Sequence, residues 1–147
     1  MIKDKIAVIT GGTRGIGLEI VRTFEENGAK VILFGSKKES VEKALETLKK
    51  ENRDVDGYYP NLSDFEEVEK TMDEIVQKYG KIDILVNNAG ISANKKIEET
   101  SSKEFEDIMS LNVNTLFNTI KATVPHMKEA GGGVILNTSS MVSLYGQ

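Results

Sequence analysis

The stretch "KIAVITGGTRGIG", Lys5 to Gly17, joins a short apolar run to a cluster of glycines and then to an apolar helical stripe. The run is apolar with little alternation, the pattern of a strand buried on both faces of a parallel sheet. Glycines serve where the backbone turns at positive φ and where it must approach a phosphate closely. The free amides at the start of the following helix then face that phosphate. A P-loop would need Lys and Ser or Thr after the final glycine, but Leu18 and Glu19 stand there, so an NTPase is rejected. The spacing, Gly11-x-x-x-Gly15-x-Gly17, also departs from the six-residue G-x-G-x-x-G fingerprint. Taken alone, such a turn can also be a tight strand–helix connection with no ligand.

Outward from this turn, apolar runs alternate with helical periodicities. Strands are expected at Lys5–Thr10, Lys30–Gly35, Gly57–Asn61, Ile82–Asn87 and Gly133–Ser139, the third weakened by Pro60. The helical stripes are Ile16, Ile20, Val21 and Phe24, then Val41, Ala44, Leu45 and Leu48, then Phe65, Val68, Met72, Ile75 and Val76. Phe105, Ile108, Met109, Leu116 and Ile120 mark a long fourth helix. Ser63-x-x-Glu66 and Ser101-x-x-Glu104 read as capping boxes, and Gly28 and Gly80 fall at expected helix ends. Regular alternation of strand and helix predicts an α/β fold, a doubly wound, Rossmann-like parallel sheet. Ligands of such sheets bind at the carboxyl ends of the strands.

Composition narrows the function. The 147 residues suit one domain, with no repeat or linker. No apolar run reaches the ~18 residues of a membrane span, and the start lacks the features of a secretory signal, so no membrane partner is expected. Cysteine is absent, which removes disulfides, thiolate metal sites and thiol nucleophiles and fits a cytoplasmic location. No metal site is expected. The net charge of −4 argues against nucleic acid, whose backbone requires a basic face.

Four motifs occur in order, each on the element where it is useful: "TGGTRGIG" at Thr10–Gly17, "NNAG" at Asn87–Gly90, Asn112 inside the fourth helix, and "NTSS" at Asn137–Ser140. Together they resemble the short-chain dehydrogenase/reductase family along all 147 residues. Within it the chain is similar to bacterial 3-oxoacyl-carrier-protein reductases and clostridial bile-acid hydroxysteroid dehydrogenases. The resemblance implies that residues 1–147 are the dinucleotide-binding part of a single Rossmann-fold domain, truncated after the fifth strand. It implies cofactor contacts at Gly11, Thr13, Arg14, Gly15, Ile16 and Gly17, at Asn61 and Leu62, and at Asn88, Ala89 and Gly90. Asn61 stands where the family usually has an Asp that bonds the adenine amine, and its amide oxygen can still accept.

Cofactor choice is read at the end of the second strand, where a carboxylate binds the ribose hydroxyls of NAD and repels the 2′-phosphate of NADP. Here the chain reads Gly35, Ser36, Lys37 and Lys38, with no acid before Glu39. Arg14 lies on the same side in NADP-dependent members of the family, so NADP is expected. The bland reading makes Lys37 and Lys38 solvated residues that open a helix.

By resemblance the reaction is hydride transfer between nicotinamide and a carbonyl or secondary alcohol, on a small-molecule substrate that an acyl-carrier protein could carry. The matching catalytic positions are Ser140, which polarises the carbonyl, and Asn112, which anchors a water. Ser139 is a rival to Ser140, since strand side chains alternate and only one can face the cofactor. The family's Tyr-x-x-x-Lys pair falls beyond Gln147; Tyr145 comes too early, and His126 reads as a surface residue. The chain alone is therefore expected to be inactive, and the missing portion to leave apolar surface and an edge strand bare. The complete protein is expected to be a homo-tetramer. Two alternatives stay open: a dinucleotide-binding module without catalysis, and one half of a split assembly.

Overall fold

A computed structural model describes residues 1–93 and 95–145. Five parallel strands, β1 (Ile6–Thr10), β2 (Lys30–Phe34), β3 (Val55–Tyr58), β4 (Ile84–Asn87) and β5 (Val134–Asn137), form one sheet in the order β3-β2-β1-β4-β5. The helices are α1 (Gly15–Glu26), α2 (Lys38–Lys50), α3 (Phe65–Tyr79), α4 (Ser102–Met109), α5 (Thr115–Glu129) and the short α6 (Val142–Tyr145). The fold is the expected doubly wound α/β sheet.

Alternation of side chains across the sheet builds two cores. On one face Ala7, Ile9, Val31, Leu33, Ile84 and Val86 pack with Val21 of α1 and Val41, Ala44 and Leu48 of α2. On the other face Ile6, Val8, Ile32, Phe34 and Leu85 meet Val68, Met72 and Ile75 of α3 and Ala122 and Met127 of α5. Burying each such side chain contributes about 1.5–3 kcal/mol. These opposing layers fix the strand ends that carry the site.

The structure corrects several sequence expectations. β3 ends at Tyr58, two residues before Pro60, which cannot donate to a ladder. α3 is capped by Asp64, whose carboxylate accepts from the amides of Glu66 and Glu67, and not by Ser63. Ile16 leaves the core stripe and is 71% exposed, because the glycine turn lifts the first residues of α1 over the sheet end. The long fourth helix is two helices, joined through a π-turn at Ser110–Asn114. That turn inserts one residue into the helical ladder and rotates the two faces apart, so α4 buries no residue in the core. The Ser101–Glu104 capping box, and the left-handed backbone at Gly28 and Gly80, are as expected.

At the far edge, Ile135 packs inward, whereas Val134 and Leu136 project from the opposite face and are about half exposed. Among the described residues nothing covers that face of β5. No helix is long and apolar enough to cross a membrane, and no cluster of potential metal ligands occurs among the described residues.

Candidate functional site

β2 and β3 lie on one side of β1, and β4 and β5 on the other. The chain reverses its direction of winding between β1 and β4, and the connections leaving their carboxyl ends part there to open a crevice. The glycine turn borders it from β1 and Asn88–Ile91 border it from β4.

The turn is held from below. The Thr10 hydroxyl accepts hydrogen bonds from the amides of Asn88 and Ala89, at 3.1 and 3.0 Å. The Gly12 amide donates to the Phe34 carbonyl at 3.0 Å. Gly17 is obligatory: a Cβ there would come within 2.0 Å of the Gly11 carbonyl oxygen, so α1 rests directly on the turn. Gly15 has φ +53° and open space where a side chain would be. Bare backbone at the start of a 12-residue helix is what a pyrophosphate needs, so these residues fit a dinucleotide. Thr13 is half-buried beside this opening, and Arg14 and Ile16 are exposed on it.

Around the crevice the structure places the other expected residues as follows. Ser36 and Lys37 are exposed after β2, with Lys37 in the extended backbone that precedes α2. Asn61 is exposed, and its side-chain oxygen accepts from the Ser63 amide at 3.1 Å, which leaves one lone pair for a ligand. The Leu62 carbonyl accepts from Asn118 Nδ2 at 2.9 Å. Asn88 Oδ1 accepts from the Thr138 hydroxyl at 3.2 Å, which ties the two loops above β4 and β5 together.

Asn112 sits in the π-turn and pairs with the backbone of one residue. Its Oδ1 accepts from the Ile91 amide and its Nδ2 donates to the Ile91 carbonyl, both at 2.8 Å. Its side chain therefore braces the loop after β4, and Gly90 passes so close that a Cβ would lie 3.0 Å from Asn112 Oδ1. Ser139 and Ser140 are both exposed in the segment that leaves β5, on the same end of the sheet as the glycine turn. Tyr145, 81% exposed, lies on α6. His126 is partly exposed, and its Nε2 lies 2.8 Å from Asp73 Oδ1, joining α5 to α3 away from the crevice.

The sequence reading overlooked Thr119 and Asn118, and it did not foresee the polar contacts that join them and the motif residues beneath the site. The Thr119 hydroxyl donates to Asn87 Oδ1 at 2.7 Å, and Asn87 Nδ2 donates to Asn137 Oδ1 at 3.0 Å. Asn118 and Thr10 make the contacts given above. Each joins residues about 30 to 80 positions apart, a relationship no local pattern reveals.

With this geometry in place, the profile of the family described as short chain dehydrogenase matches residues 5–147. The chain belongs to the short-chain dehydrogenase family. Among curated members, a 3alpha-hydroxysteroid dehydrogenase of Mediterraneibacter gnavus is 50% identical over the whole of this chain, and 60% of that relative is covered. A 3-oxoacyl-acyl-carrier-protein reductase FabG of Thermotoga maritima is 32% identical, over 99% of this chain and 59% of the relative. The chain thus spans about 60% of the length of the curated short-chain dehydrogenases it matches. Two solved members differ in cofactor. An NAD+-bound xylitol dehydrogenase superposes with TM-score 0.92 at 30% identity, covering 99% of this chain and 56% of that one. A metagenomic short-chain oxidoreductase in complex with NADP gives 0.85 at 26% identity, covering 95% and 64%.

Proposed function

We propose that the chain is the nucleotide-binding part of an NADP-dependent oxidoreductase acting on a carbonyl or secondary alcohol. One observation carries the cofactor assignment: β2 is followed by Gly35, exposed Ser36 and exposed Lys37, with no carboxylate before Glu39 and with Arg14 exposed at the start of α1. Two charge-assisted contacts of roughly 1.5 kcal/mol each would favour a 2′-phosphate by about a hundredfold. Gly11 to Gly17 receive the pyrophosphate, Asn61 and Leu62 the adenine, and Asn88 to Gly90 the adjoining ribose.

A nicotinamide held there would supply or receive the hydride. Ser140 donates a hydrogen bond to the substrate oxygen, where negative charge develops, and Asn112 holds the loop beside it. The 50% identity to the hydroxysteroid dehydrogenase favours a hydroxysteroid over a 3-oxoacyl thioester as the substrate class. No Tyr-x-x-x-Lys follows Ser140 within these residues, so the 147 residues bind the dinucleotide but do not turn it over. Exposed Phe105, Met109 and Phe117 support a tetramer for the complete protein, working in the cytoplasm.

Fluorescence titration of the chain with NADPH and NADH tests the cofactor assignment; equal affinities overturn it. Incubation of the 147-residue chain with NADPH and a 3-oxo steroid tests the rest. Clear NADPH oxidation refutes the claim that this portion is inactive by itself.

A further inference from the structure

The end of β2 is where dinucleotide-binding folds place a ribose-binding carboxylate, and here packing closes that place. Gly35 is buried, and its amide donates to the Tyr58 carbonyl at 3.0 Å. Its φ is not in the left-handed region, so conformation alone would admit any residue. Space would not. A Cβ at Gly35 would stand 2.6 Å from Thr13 Cγ2 and 2.6 Å from Val41 Cγ2. Both methyls belong to β-branched side chains, which are stiff about their one relevant torsion. The other methyl of Val41, Cγ1, fills the space that the missing side chain of Gly57 leaves, where a Cβ would meet it at 2.6 Å. At 2% exposure Val41 thus packs one methyl against Gly35, just past β2, and the other against Gly57 of β3.

We propose that Thr13 and Val41 are specificity-determining residues of the cofactor site. Their methyls bar a side chain from the end of β2, so the site cannot acquire an NAD-type carboxylate by one substitution. Cofactor choice then falls to the exposed groups around it, Ser36, Lys37 and Arg14. The NADP preference rests on the function proposed above; the steric lock is a separate claim and is tested separately.

The test uses the full-length protein, with melting temperature and the dissociation constants of NADPH and NADH as readouts. Gly35→Ala adds only the offending methyl and lowers Tm by about 5 °C. The same substitution in a Thr13→Ser/Val41→Ala background costs much less, relative to that background. Gly35→Asp alone gains no NADH affinity, whereas Gly35→Asp with Thr13→Ser and Val41→Ala binds NADH about tenfold more tightly than Gly35→Asp alone. An unchanged Tm for Gly35→Ala, NADH binding gained by Gly35→Asp alone, or no gain in the triple variant overturns the lock. A wild-type protein that binds NADH as well as NADPH overturns the NADP assignment instead, and the Tm comparison still decides the lock.

Discussion

Asn112 and Ile91, 21 positions apart, form a closed pair: one side-chain amide satisfies both the backbone N–H and the backbone C=O of one residue, each at 2.8 Å. A side chain has here taken the part of a strand partner. The π-turn at Ser110–Asn114 is the distortion that presents it.

Replacing Asn112 by Leu removes both bonds and costs about 1–3 kcal/mol. Chemical denaturation measures the loss, and hydrogen exchange locates it, since the Ile91 amide should lose its protection. Retained protection at Ile91 would show that this pair does not hold the loop.

Thr10 is the equivalent brace under the glycine turn, 1% exposed and accepting two amides. Thr10→Val keeps the shape but orphans both donors, and is expected to cost about 2–4 kcal/mol. Thr10→Ser keeps the acceptor and should lose far less. Equal denaturation midpoints for the two variants would contradict this account.

The Glu104 carboxyl is held at about 2, below its ordinary 4.5, first by its bond from Lys95 and then by the amide and hydroxyl of Ser101. A lowered folded-state value means that the charged form stabilises the fold. That contribution is complete above about pH 4.5 and drains away as the pH falls toward about 2. The Ser101 amide resonance, followed by NMR, should titrate near the lower value, and Lys95→Ala should move its midpoint upward. A midpoint already at the ordinary value would mean that the capping box exerts no hold.

In the full-length protein Ser140→Ala is expected to reduce kcat by about 10²–10³, the usual cost of removing one positioned donor to a developing oxyanion. Ser139→Ala should change it little. The reverse ranking would assign the catalytic position to Ser139.

Much of this was legible from the chain. Unalternating apolar runs located the sheet, and glycine spacing located the turn, because both signals are local and physically forced. The cap of α3 was misread by one residue: Ser63-x-x-Glu66 satisfied the pattern, but Asp64 offers an ionised acceptor to two amides at once. Asn112 stood out as one of the four motifs, yet its partner could not be inferred, since Ile91 contributes only backbone. Thr119 and Asn118 left no trace, because a threonine or asparagine on a helix is unremarkable until the strand end facing it is known.

The Asn87–Asn137 bond acts as an alignment key. β5 is four residues long and, among the described residues, pairs on one side only, with two half-exposed apolar side chains on one face. Apolar contacts of that kind would survive a slide along β4 by two residues. A slide would separate Asn137 from Asn87, which stand opposite each other in register, and would strand a buried amide without its acceptor. The polar pair thus sets the height at which the chain leaves the sheet, and with it the level at which both serines arrive.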